Sequence, residues 1–564
     1  MPRSPHRVWL ATTLARIYPD TRAQKTKALA LEAARGERIS FQVAVRNAGC
    51  DRVDVKLTLA ASDAVTTRVR RVGYVPVAHR NTGTEASETD GAQRLPGFVP
   101  DPLFPEDTAA LGAEETHAFW CNVAVPNDCA PGVQRIEATV TVGDQVIATV
   151  RVTARVHQLV LQPRRDFPVV QWFYADALCD AHGVQPFDEA FWAIVRPYMR
   201  NLVEHFQDTI YVPVFTPPLD GVKRPTQLLK VTRTAPDRYT FDWSDVQRWI
   251  DTARGEGITR FEWTHFFTQW GVKHAIRIYE GQGDGEKLLW PADTGATSDT
   301  YRAFLAQFLP ELEAFLRRAD LLERSYFHVS DEPHVDHVEH YRAARALLRE
   351  LAPWMRTMDA LSDIAFGKLG VVDLPIPSIH TTHEFIDAGI ACGTYYCCHP
   401  RGAWLNRLMD TPLAKIRMNG WLFWRFQAVL FLHWGYNYWY RSQSRQLIDP
   451  FTVSDGQSWP HWAHGDTFCV YPGKDGPIDS IRWEVFAESL QDYALLQTVG
   501  VDPRGPLLRA LASFADFPRS ERWLAKARAV LLRTRPGGSA HRAPSTAKVR
   551  AKAKAKVSPR RKAR

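Results

Sequence analysis

The sequence predicts a multidomain protein in which an N-terminal β-sandwich over residues 1–162 precedes a (β/α)8 barrel over 163–445. A small C-terminal α+β extension, 446–535, and a disordered basic tail, 536–564, complete it. Three observations predict this. Apolar and polar residues alternate with period two before residue 162, as in half-buried antiparallel strands. From Phe167 the rhythm changes to strand, helix, strand, the pattern of a parallel α/β fold. The 564 residues suffice for three or four folding units, or fewer if one is a large barrel.

The sandwich strands are read from Ile39–Arg46, Val53–Leu59, Glu137–Val142 and Ile147–Val156, with turns at Pro131-Gly132 and Gly143-Asp144. Asn81–Thr108, rich in Gly, Pro, Asp and Thr, reads as a long loop. Barrel strands begin near 168, 208, 259, 326, 356, 371, 390 and 429, so eight βα steps fill about 280 residues, the size of a (β/α)8 barrel. Helices are expected over Phe187–His205, Ser298–Ala319, Val335–Leu351 and Pro412–Gln427, and the last strand over Val429–Trp439. Beyond 446 come a short β segment, Asp466–Tyr471, and helices over Ile481–Val499 and Pro506–Leu532. The Ala/Lys tail has nothing apolar to bury.

With 45% hydrophobic and 23% charged residues, the chain is neither disordered, collagenous nor a disulfide scaffold. The net charge of +8 is a property of the tail, which holds ten of the 70 basic residues and no acid, leaving 60 basic against 62 acidic residues in the body. That body carries no basic footprint for nucleic acid. Eight cysteines without paired Cys-x-x-Cys motifs read as reduced, mostly buried thiols. Trp421–Tyr440 has the length of a membrane span, but Arg425, Gln427, His433 and Asn437 interrupt it, so no membrane is expected. Met1–Asp20 shows no small-residue cleavage site, which predicts a cytoplasmic protein. No P-loop, Gly-x-Gly-x-x-Gly or Gly-x-Ser-x-Gly motif supports phosphoryl transfer, dinucleotide chemistry or serine hydrolysis.

Barrel chemistry sits at C-terminal strand ends. The fourth strand, Tyr326-Phe-His-Val-Ser-Asp-Glu-Pro-His334, ends in two adjacent acids. Neighbouring carboxylates repel and lose solvation, and differing environments push their pKa values apart, as general acid catalysis requires. The competing reading makes Ser330 or Asp331 the N-cap of a helix beginning near Val335. Trp172, Trp434 and Trp439 are candidate walls of a binding pocket, and Asn437 a candidate polar partner in it. His265, His328 and His380 fall near strand ends, either as hydroxyl partners or, with His383, as metal ligands.

The strand end His328–Pro333 resembles the Asp-Glu signature of the glycoside hydrolase family 123 and domain-of-unknown-function 4091 group, known for β-N-acetylgalactosaminidases, and is similar to the corresponding strand of family 20 hexosaminidases. Asn419–Phe426 leading into Leu430–Trp439, and Gly465–Gly473 followed by Pro477–Glu484, fit the same group, so the resemblance spans about 165–500. It implies a retaining exo-glycosidase in which the sugar's acetamido oxygen is the nucleophile, an exception to the usual two-carboxylate scheme. Glu332 is then the general acid, and Asp331 orients the acetamido N–H and stabilises the oxazolinium-type charge. Tyr395, or its neighbour Tyr396, is the phenol that meets the acetamido carbonyl. The implied partner is a glycan or glycoside carrying a 2-acetamido sugar, N-acetylgalactosamine favoured, with no cofactor and no metal. The alternatives are a two-carboxylate glycosidase pairing Glu332 with Glu262 or Asp359, a metal-dependent barrel hydrolase, and a non-catalytic carbohydrate-binding protein.

Overall fold

Alternation in the first 160 residues builds two sheets face to face. In the computed structural model, which describes residues 5–81, 83–218, 225–281 and 285–534, one sheet has seven strands. Its order is His6–Thr12, Arg38–Asn47, Thr116–Ala124, Thr66–Val77, Gly97–Phe104, Gly476–Ser480 and Val470–Gly473. The other sheet runs Ala28–Arg35, Gln145–Val160, Gly132–Val142, Val53–Ala60 and Thr108–Leu111. Between them Phe41, Val43, Phe119 and Val123 pack on Ile136, Val140, Val150 and Val152. The basic tail expected over 536–564 lies outside the described residues.

Two sandwich expectations are corrected. The strand Arg38–Asn47 is buried along nearly its whole length, not on alternate residues. The outer face of its sheet, with Trp9, Ala44, Val72 and Trp120, joins the same apolar core as the second half of the chain, so both faces exclude water. The expected loop over Asn81–Thr108 contains the strand Gly97–Phe104, and its earlier part reaches across to Asp410, whose carboxylate accepts from Asn81.

The second half supplies a short parallel strand at each expected place, of two to four residues: Val169–Gln171, Thr209–Val212, Arg260–Trp263, Ser325–Phe327, Met358–Ala360, Leu374–Ile376, Thr394–Tyr395 and Phe431–His433. Hydrogen bonding distributes them over three parallel sheets, not one closed ladder. Thr209–Val212, Arg260–Trp263 and Ser325–Phe327 form one, and Met358–Ala360 with Leu374–Ile376 another. Val169–Gln171, Phe431–His433 and Thr394–Tyr395 form the third. Single parallel bridges, Phe327 to Thr357 and Ser378 to Tyr395, link neighbouring sheets.

The last strand stops at His433, well short of Trp439, because the chain folds tightly at Gly435, where a Cβ would lie 2.2 Å from the Asp466 carbonyl oxygen. The helix expected over Pro412–Gln427 is two, Leu413–Arg417 and Asn419–Phe426, and that over Pro506–Leu532 shrinks to Glu521–Arg533 after a single 3-10 turn at Pro506–Leu508. Ile481–Val499 is helical as expected, capped by Ser480, whose hydroxyl accepts from the Trp483 N–H. Buried on every side through Leu496, this helix carries Arg482, Glu484, Glu488 and Asp492 inside the protein, each paired. Among the described residues no helix is long and apolar enough to cross a membrane.

Candidate active site

The regular part of the fourth strand ends at Phe327, and the residues that follow, their backbone still bonded to Phe266 and Phe267 through the His328 and Val329 carbonyls, lead into a pocket at the strand ends. Asp331 and Glu332 both line it. In an extended chain neighbouring side chains point to opposite faces. Here Glu332 adopts the left-handed conformation, φ +44°, which breaks that alternation. Its N–H donates to the Ala360 carbonyl at 2.9 Å, fixing the turn. Left-handed backbone at a non-glycine residue costs about 1–3 kcal/mol and gathers at functional sites. Gln443, φ +49°, and Trp270, φ +63°, line the same pocket in the same conformation.

The acids cap no helix. The 3-10 turn at Val335–His337 has His334 as its N-cap, and the α-helix begins only at Val338. The Ser330 hydroxyl donates to the Thr268 carbonyl instead.

Tyr395, also on the lining, donates its hydroxyl to Glu332 Oε1 at 2.5 Å. Burial, and next the Glu332 carboxylate, push the phenol well above its ordinary range, so it is a donor throughout the working pH range. Tyr396 is fully buried and donates to Asn419 Oδ1, so the geometry separates the two candidates.

Trp172 and Trp434 are pocket walls, each held by a carboxylate: Trp172 Nε1 donates to Glu262 Oε1 at 2.8 Å and Trp434 Nε1 to Asp466 Oδ2 at 3.0 Å. Trp439 is not on the lining; its indole is fully buried, edge-on to Tyr198, and donates to the Val470 carbonyl. Asn437 is likewise removed, both amide groups being spent on the backbone N–H and C=O of Tyr174. Both displacements follow from the turn at Gly435. His380 is exposed, bonded to the Ser378 hydroxyl, and off the lining.

His328 and His265 are off the lining, fully buried, each edge-on to Trp172 and stacked on one another with ring centroids 4.1 Å apart. His328 donates from Nδ1 to Asp359 Oδ1 at 3.1 Å and from Nε2 to Glu262 Oε1 at 2.5 Å. Burial alone would lower its pKa, but these two carboxylates outweigh that and push it up to about 9. His265 goes the other way: burial, then the charge of His328, hold it well below the usual range, neutral, with its Nδ1 accepting from the Tyr211 hydroxyl. Asp359 further accepts from the Tyr341 hydroxyl and the Val329 N–H, two residues before the acid pair.

His265, His328 and Asp359 are close enough to share an ion. With carboxylates at both of its nitrogens and its pKa raised, His328 as it stands here is a proton donor to Glu262 and Asp359. Glu262 and Asp359, the alternative nucleophiles, are buried in this network and do not line the pocket.

Sequence reasoning missed Gln269, Trp270, Gln443, Trp462 and Asp466 on the lining. It also missed that Cys397 and Cys398, of the eight free thiols the two half-buried ones, face the same space with sulfurs 3.9 Å apart.

Flat indole faces suit the C–H faces of a pyranose and carboxylates suit its hydroxyls; joined to an acid placed to move a proton, they belong to the glycoside hydrolases as a class. Comparison with known proteins narrows the class. The model of the glycoside hydrolase 123 catalytic domain matches residues 172–499, more than half of the chain, and the chain belongs to that family.

A family 123 glycoside hydrolase from Clostridium perfringens, solved in work on glycolipid glycan hydrolysis, is similar at a TM-score of 0.71 and 14% identity, over 93% of this chain and 97% of that one. A family 5 xyloglucanase from Bacteroides ovatus (TM-score 0.32, 10% identity, 83% of this chain, 99% of that one) is too distant in shape to carry an argument. The same holds for a family 10 xylanase from termite gut (0.32, 9%, 83% and 100%). No curated protein sequence matches the chain.

Proposed function

We propose that this glycoside hydrolase removes a terminal β-linked 2-acetamido-2-deoxy sugar, N-acetylgalactosamine in preference, by retaining, substrate-assisted catalysis. One observation carries the reading: two carboxylates adjacent in the chain line one pocket, while Glu262 and Asp359, the other acids weighed as nucleophiles, are off its lining and committed to His328. Adjacent acids suit a substrate that brings its own nucleophile, since no second carboxylate is needed about 5 Å away across the sugar.

The acetamido oxygen attacks the anomeric carbon while Glu332 protonates the departing oxygen; Glu332 then takes a proton from the water that opens the oxazolinium ring. Asp331 accepts from the acetamido N–H and balances the developing charge. Tyr395 turns from Glu332 to the acetamido carbonyl. The short parallel strands, taken in chain order, are the staves of a (β/α)8 barrel that presents these groups at one rim. The Clostridium perfringens relative's link to glycolipid glycans supports a glycan as the substrate.

Chromogenic 2-acetamido and plain glycosides, assayed side by side, test this. Hydrolysis confined to 2-acetamido substrates and blocked by a thiazoline mimic of the cyclised intermediate is expected. Equal turnover of plain glycosides restores the two-carboxylate scheme, and inactivation by a chelator restores the metal one.

A further inference from the structure

Trp270 stands apart from the other tryptophans. The described residues include all nineteen, and Trp270 alone is exposed, at 42%. It is not exposed because its loop is slack. The Thr268 N–H donates to the His274 carbonyl, and the His274 N–H to the Thr268 hydroxyl, closing the loop at its base. At the tip the Trp270 N–H donates to the Asp331 carbonyl at 2.8 Å. Holding a bulky residue at φ +63° is unfavourable, and such strain gathers at functional sites. The other indoles on the lining, Trp172, Trp434 and Trp462, are more buried, and the first two are tied to carboxylates.

We infer that Trp270 is the platform of a leaving-group subsite, stacking on the pyranose ring attached to the bond that is broken. A pocket that takes a chain end holds the terminal sugar between its deep walls and sends the rest of the glycan out through its mouth. The exposed indole is at that mouth, and its backbone is bonded to the residue beside the proton donor. A sugar ring on its face is thereby held in register with Glu332. The substrate class this selects is a glycan whose penultimate unit is a pyranose, in preference to a sugar on a non-cyclic aglycone. The inference rests on the glycosidase reading but not on the identity of the terminal sugar.

The test compares two substrates built on whichever sugar the wild-type enzyme hydrolyses: a disaccharide, with a ring in the leaving group, and the β-glycosyl fluoride, with none. Trp270→Gly removes the ring and suits the left-handed backbone, so the fold is retained; Trp270→Phe keeps an aromatic face. The ratio of kcat/KM for disaccharide over fluoride is expected to fall about tenfold or more in Trp270→Gly, and to stay within about threefold of wild type in Trp270→Phe. An unchanged ratio in Trp270→Gly, whether both activities fall together or neither does, overturns the subsite. Which sugars the wild type accepts as fluorides is a separate readout, and it alone bears on the 2-acetamido assignment.

Discussion

Glu332 touches three things that decide its chemistry: the pocket it lines, the Ala360 carbonyl that fixes its backbone, and the Tyr395 hydroxyl on Oε1. Its amide isostere keeps the shape and loses the proton. Glu332→Gln is therefore expected to cut kcat on 2-acetamido glycosides by about 10²–10⁴ while leaving thiazoline binding within a few fold, measured by steady-state kinetics and calorimetry. Asp331→Asn removes a charge, not a proton donor, and a loss of about 10²–10³ in kcat is expected. If Asp331→Asn turns over like wild type, the acetamido-orienting role goes with it.

Strand ends set which neighbours each residue meets. His328, one position beyond Ser325–Phe327, is clamped between acids from two other strand regions, and its pKa of about 9 makes the clamp pH-sensitive. Because the folded pKa lies above the unfolded value, the stabilisation is complete below about pH 6.5 and disappears as pH rises through about 9. On the order of 2–3 kcal/mol at neutral pH is at stake, and urea unfolding between pH 7 and 10 should show the fall in wild type and a flatter profile in His328→Gln.

The positions of these strands were legible because short apolar runs bounded by turns mark buried strands, and the Asp-Glu pair was legible because acids at an apolar strand's exit demand a reason. What the clamp adds was not: Glu262 and Asp359 are 66 and 31 residues away from His328 in sequence, and only the pairing of strands brings them together. Asn437 and Trp439 were misplaced because an aromatic run past His433 mimics a strand whose turn, at Gly435, is dictated by a distant carbonyl. Trp270 sits in an aperiodic loop, where period-based reading has no signal.

At the scale of the molecule, the helix Ile481–Val499 and the hairpin before it tie the two halves together. Arg70, from the sandwich, pairs with Asp479 and Glu484, and Arg482 pairs with Asp101 of the sandwich at 3.0 Å. Removing one member of such a buried network strands its partners, so Arg70→Ala should lower unfolding stability by about 3–5 kcal/mol. A loss under about 1 kcal/mol would mean that Arg38 and His205, also beside Glu484, carry its charge alone. The seven-stranded sheet has a further consequence, in the order of manufacture. Its border at Pro102–Leu103 is closed by Asp479 and Ser480, and its Trp9 and Trp120 face joins a core that residues of the second half complete. While the ribosome is still translating the catalytic half, the nascent sandwich presents an open seam and an oily flank to whatever is nearby. Residues 5–162 expressed alone should clump, and a peptide spanning 468–482 should slow the clumping, as light scattering would report.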